Sequence, residues 1–153
     1  MRRAALTRVF RFSAAHRLHS PFLDDEANRE LYRDCNNPGG HGHNYVLEVT
    51  LKGTVAPRTG MLVDLPLFER IVHERVLSRL DHQFIGVREF GPDPDPDAFI
   101  STSEVVTAMI WSWLDGAFPE GVSLARIRLE ETRNNFFEYR GEDSLATHQG
   151  DPS

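Results

Sequence analysis

The stretch His41-Gly42-His43-Asn44-Tyr45-Val46-Leu47-Glu48-Val49-Thr50-Leu51 carries apolar side chains at Tyr45, Leu47, Val49 and Leu51, every second position. That two-residue period belongs to a half-buried strand, in which successive side chains point to opposite faces of a sheet. A strand is therefore expected from His41 to Thr54. His41 and His43 share the parity of the apolar set, so both imidazoles should point the same way. Upstream, Phe10, Phe12 and Ala14 alternate with Arg11 and Ser13, which predicts a strand from Val9 to His16 with His16 on the Phe10 face.

Between the two strands runs a polar excursion from Ser20 to Gly40, punctuated by Pro21, Pro38 and paired glycines. It has room for a short helix around Glu26 to Tyr32 and delivers Cys35. Downstream, Pro57-Arg58-Thr59-Gly60 predicts a turn into a short strand, Met61 to Val63, making a hairpin. Asp64 then caps a helix whose stripe is Phe68, Ile71, Val72, Val76 and Leu80, ending at Asp81-His82. Gly91 to Pro96 repeats Pro-Asp and is read as a loop. Ser101-Thr102-Ser103-Glu104 matches a capping box ahead of a second helix, which should stop near Phe118-Pro119. Two more strands, Ala125 to Glu131 and Asn135 to Arg140, meet at a tight Arg133-Asn134 turn. The fold class is α+β: an antiparallel four-stranded sheet with two helices on one face.

The 153 residues suit a single domain, placed at 1–141, with the polar residues 142–153 expected to form a disordered tail. A net charge of -6 argues against general nucleic-acid binding. No apolar run approaches the ~18 residues of a membrane helix, and the basic N-terminus leads into an alternating pattern rather than a secretion signal. Cys35 is the one cysteine, so no internal disulfide forms, and a cytoplasmic setting is expected.

Three histidines on inward parity of two strands, His16, His41 and His43, suit a metal held by three imidazoles with a fourth position open, the arrangement of catalytic zinc. Separately hydrogen-bonded histidines are the plainer alternative. Cys35 has three readings: a fourth metal ligand that closes the site, a thiolate base beside the metal, or an inert buried thiol. Asp81-His82 pairs a carboxylate with an imidazole whose tautomer it can fix. Glu131 continues the inward parity of Ala125, Ile127 and Leu129; it is either solvated past the sheet's edge or buried, where a planar ligand with two adjacent N–H groups would satisfy it.

Phe12-Ser13-Ala14-Ala15-His16-Arg17, the Cys35 to Tyr45 block, Thr59-Gly60-Met61, Leu80-Asp81-His82, Ser101-Thr102-Ser103-Glu104 and Glu131-Thr132 together resemble the 6-pyruvoyl-tetrahydropterin synthase family in order and spacing, over roughly Val9 to Gly141. The resemblance implies a tunnelling fold, in which trimers close their sheets into a barrel and pair into a hexamer. It implies zinc on His16, His41 and His43, Cys35 as the base on substrate carbon, and Asp81 and His82 supporting it from a neighbouring subunit. It further implies that Glu131 anchors a pterin ring with help from Thr102, Ser103 and Glu104. The implied reaction releases triphosphate from 7,8-dihydroneopterin triphosphate, leaving 6-pyruvoyl-tetrahydropterin on the way to tetrahydrobiopterin; magnesium commonly assists such a substrate. Ser103 stands where the family often has Thr, which keeps the hydroxyl. The five residues between Cys35 and His41 resemble the pyruvoyl-forming type more than 6-carboxytetrahydropterin synthase of the queuosine pathway. A pterin- or zinc-binding module without catalysis is a further alternative. Arg17 and Arg33 are nominated for the phosphates by proximity alone.

Overall fold

The computed structural model describes residues 1–86 and 99–142. The loop expected at 91–96 and the tail from 143 onward lie outside the described residues. In chain order the elements are β1 (Arg3–His16), α1 (Asp25–Tyr32), β2 (His41–Thr54), α2 (Leu65–Val72), α3 (Ser78–Leu80), β3 (Phe84–Ile85), α4 (Ser103–Leu114), β4 (Val122–Thr132) and β5 (Asn135–Tyr139).

β1 and β2 run antiparallel in unbroken register from Arg3↔Thr54 to His16↔His41, and that register follows from the shared apolar face. Phe10 stands opposite Leu47 and Phe12 opposite Tyr45, where the two rings stack with centroids 4.9 Å apart. β2 pairs with β4 and β4 with β5, also antiparallel. Two differences from the sequence expectation concern short segments. Met61 to Val63 forms no strand; a turn closes there through Ala56 N–H donating to Met61 O at 2.9 Å. A fifth, two-residue strand instead joins the other side of the sheet, β3 lying parallel to β1 with Ala15 opposite Phe84.

The helices cover the face that carries Phe10, Phe12, Leu47, Ile127 and Leu129, all buried in one core with Phe68, Val72, Val76 and Ile110. Asp64 caps α2 by accepting from Leu67 N–H, as its sequence position suggested. The expected single helix is interrupted by a π-turn over His73–Leu77, which connects α2 to α3. α4 ends at Leu114, short of Phe118, because Gly116 takes φ 71° and turns the chain.

Leu47 has no exposed surface and sits at the middle of the central strand. Its replacement by Ala is expected to lower unfolding free energy by about 2–5 kcal/mol through lost burial and the cavity left behind, read as a lower urea midpoint with unchanged slope. Among the described residues, no helix is long and apolar enough to cross a membrane.

Candidate active site

β1 and β2 bring His16 and His41 opposite each other at the end of their ladder. Gly40 permits the approach: it has φ 73°, and a Cβ there would meet Phe84 Cε2 at 2.8 Å and His16 O at 3.0 Å. Two residues along β2, His43 completes the group, and one ligand nitrogen from each of the three histidines lies within 4.8 Å of the others.

His16 is almost fully buried, and its Nδ1 is 2.8 Å from Ser101 O. A carbonyl only accepts, so Nδ1 carries the proton and the Nε2 lone pair faces the cluster. His16 Nε2 is 3.0 Å from His41 Nε2. Two nitrogens bound tetrahedrally to one zinc stand about 3.3 Å apart, given Zn–N bonds of about 2.0–2.1 Å. His43 Nε2 is buried without a hydrogen-bond partner among the described residues, an arrangement that costs free energy unless something accepts its lone pair. The donor set therefore fits a divalent ion such as zinc, with imidazole nitrogens on three sides.

Glu131 joins this group. Its Oε1 lies 3.6 Å from both His16 Nε2 and His43 Nε2. The β4–β5 register slips between Glu130 and Thr132, leaving Glu131 as the extra residue of a bulge, a device that re-aims a side chain. The inward parity expected for β4 holds at Ile127 and Leu129 and fails at Ala125. A second irregularity opposite Thr50/Leu51 shifts the strand, so Leu124 is buried in its place.

Cys35 lies in a 3-10 turn, Arg33–Asn36, and is partly buried. That turn is held by residues the sequence patterns did not single out. Asn36 Nδ2 donates to Leu18 O at 2.7 Å and faces His19 Nδ1 at 3.1 Å, while the Cys35 carbonyl accepts from Leu18 N–H at 2.8 Å. Asn28, fully buried on α1, accepts from Ser20 N–H and donates to Ser20 O. Such polar residues inside a polar segment leave no periodic signal. Burial, then the charges of Glu131 and Asp34, push the Cys35 thiol up, so it is protonated at neutral pH in the isolated chain.

Asp81 and His82 pair with each other, Nδ1 to Oδ1 at 3.0 Å, and with Ser13 rather than with Cys35. Ser13 N–H donates to Asp81 Oδ1 at 3.1 Å, and Ser13 O accepts from His82 N–H at 2.7 Å. The Ser13 amide, more than the His82 ring, holds the Asp81 carboxyl below the ordinary range. His82 has φ 58° and an 83% exposed side chain; with His43 it lines one open cleft.

At α4 the cap falls one residue later than the expected box. Thr102 accepts from Val105 N–H, while the Ser101 carbonyl is taken by His16 and its hydroxyl donates to Arg17 O. Ser103 is buried, its Oγ without a partner among the described residues, and Glu104 is exposed in the first turn.

Burial, the largest cause in each case, lowers the pKa of His16, His41 and His43 below 6.5. Their neutral form, the one that ligates metal, prevails at pH 7. The unfolded chain then binds protons below about pH 6.5 that the folded chain does not, so stability falls with pH in that window. The thermal midpoint of the metal-free protein is expected to drop as the pH is lowered below about 6.5, and by less in a His41→Gln/His43→Gln variant.

Residues 5–142 match the family model described as 6-pyruvoyl tetrahydropterin synthase. The chain is 41% identical over 142 residues to human 6-pyruvoyl tetrahydrobiopterin synthase, covering 91% of this chain and 92% of that one. A putative 6-carboxy-5,6,7,8-tetrahydropterin synthase of Archaeoglobus fulgidus is 31% identical over 100 residues, 65% of this chain and 75% of that one. The solved structure of Caenorhabditis elegans 6-pyruvoyl tetrahydropterin synthase superposes with a TM-score of 0.81 at 38% identity, covering 93% of this chain and 98% of the other.

Proposed function

The chain belongs to the 6-pyruvoyl tetrahydropterin synthase family, and on that premise we propose that it is a zinc-dependent carbon–oxygen lyase converting 7,8-dihydroneopterin triphosphate to 6-pyruvoyl-tetrahydropterin and triphosphate. The observation that carries this reading is the convergence of His16, His41 and His43 on a small volume flanked by Glu131. Those three imidazoles would hold the zinc, which when bound supplies polarisation of a side-chain oxygen and so acidifies the neighbouring C–H.

Cys35 is assigned as the base that takes this proton from carbon. Asp81 fixes the His82 tautomer with Nδ1 protonated, leaving Nε2 available as an acceptor. That exposed imidazole is assigned to the Cys35 of a neighbouring subunit, which fits the lack of pairing between them in one chain. The Glu131 carboxylate accepts the adjacent N–H groups of the pterin ring and holds it against the metal site. Thr102, Ser103 and Glu104, at the start of α4, complete the ring's binding surface. Side-chain oxidation is balanced by ring reduction, so the reaction needs no external redox carrier.

The assembly proposed is a cytoplasmic homohexamer, a dimer of trimers whose sheets close into barrels. In its support, β5 is an edge strand and Phe136 on it is 53% exposed, a surface suited to cover by a second copy. The carboxy-forming alternative has the weaker and shorter match. Incubation of the zinc-loaded protein with 7,8-dihydroneopterin triphosphate should release triphosphate and leave a product with the mass of the pyruvoyl pterin. A carboxy pterin would reassign the product, and bound but unchanged substrate would refute the lyase reading.

A further inference from the structure

We propose that the groove between α1 and the Cys35 turn is a subsite for a short polyphosphate chain, held by Arg17, Arg29 and Arg33. The proposal rests on the lyase reading of the neighbouring site and names where the leaving portion of its substrate lies. The groove encloses about 460 Å³, and the three arginines line it together with Asp25, Asp34 and Asn36. In a chain of net charge -6, three guanidinium groups against two carboxylates leave this groove with a positive balance.

Arg29 and Arg33 form no close ion pair with either aspartate or with any other carboxylate among the described residues. Asp25 instead occupies the first turn of α1, where the helix dipole favours a carboxylate. Arg17 Nε donates to Asn36 O at 2.9 Å, which fixes one guanidinium at the groove wall. The planar forks of arginine match phosphate oxygens two at a time.

The groove adjoins the chemistry. Arg17 follows the metal-facing His16 directly in the chain, and Asp34 and Asn36 flank Cys35. A phosphate tail leaving the reaction centre past Cys35 would enter it. Arg33 itself has φ 50° and ψ -125°, a conformation that suits glycine and strains any residue with a Cβ.

The test titrates the zinc-loaded protein with sodium tripolyphosphate by calorimetry. Wild type should bind it with an affinity that falls as salt rises. An Arg29→Gln/Arg33→Gly variant should bind at least about tenfold more weakly, the loss expected for charge-assisted contacts, and Arg70→Gln, an exposed control on α2, should match wild type. Arg33→Gly alone should melt higher than wild type while binding the anion less well, a combination that a purely structural role does not produce. In turnover, the double variant should raise KM for the triphosphate substrate with kcat kept, and bind phosphate-free 7,8-dihydroneopterin normally. Unaltered tripolyphosphate affinity in the double variant, or an equal loss in Arg70→Gln, overturns the proposal. Anion binding through these arginines without substrate turnover would uphold the groove and sink the lyase reading; turnover with an unchanged KM in the double variant would do the reverse.

Discussion

Replacing His43 by Ala is expected to abolish stoichiometric zinc binding, weakening affinity well beyond the roughly 10–100-fold that follows loss of a supporting residue. Three imidazoles are available, and a single-residue loss leaves His16 and His41 to hold the ion, too few for a stable tetrahedral site. His43 Nε2 is, like His41 Nδ1, a buried imidazole nitrogen without a hydrogen-bond partner among the described residues, so removing it also relieves an unsatisfied group in the metal-free chain. The apo variant should therefore fold and melt near the apo wild type. What it loses is the rise in thermal midpoint that zinc gives wild type by binding the folded state alone. Competition with a chromophoric chelator measures the affinity, and a melt with and without zinc measures the linkage. A His43→Ala protein that retains one tightly held zinc would contradict the assignment of the ligands.

Replacing Cys35 by Ala is expected to leave zinc bound and to lower turnover about 10²–10⁴-fold, the range that a positioned base contributes. The outcome separates three readings that sequence spacing left open. A fourth ligand would be lost with much of the metal affinity, and an inert thiol would be lost with no effect on rate. The geometry speaks against the fourth-ligand reading. The ligand nitrogens cluster as a trio of histidines without the thiol, yet Cys35 is close enough to Glu131 for that charge to raise its pKa. A thiol protonated at neutral pH needs an opposing positive charge to act as a thiolate, and the ion and the neighbouring subunit's imidazole are the groups proposed to supply it. The pH–rate profile should then show an acid limb that vanishes in Cys35→Ser along with most of the rate.

Much of the arrangement was legible from alternation alone. The Tyr45, Leu47, Val49, Leu51 pattern gave β2 its bounds and placed His41 and His43, because a buried face enforces register. Parity also aims Glu131 inward from Ile127 and Leu129, and a register slip marks the same position. Bulges have no composition signature here, so Ala125 was assigned to a face that Leu124 occupies. The two-residue β3 is too short to show a period, and Met61 to Val63, a short apolar run behind a turn signal, forms no strand. Ser101 illustrates a different limit. Its sequence context marks it as a cap, but its carbonyl is committed to His16, a long-range contact that only the folded chain reveals. The same holds for His19, Asn28 and Asn36, whose polar side chains secure the Cys35 turn from within a segment that reads simply as a loop.

The proposed mechanism requires an ion held by nitrogen alone, with a place left for substrate oxygen. Zinc K-edge X-ray absorption of the metal-loaded protein tests this most directly. It should give three nitrogen scatterers and one further light atom near 2.0–2.1 Å, with substrate replacing that atom when added. A sulfur scatterer at about 2.3 Å would contradict it, since Cys35 would then close the coordination shell and could not serve as the base.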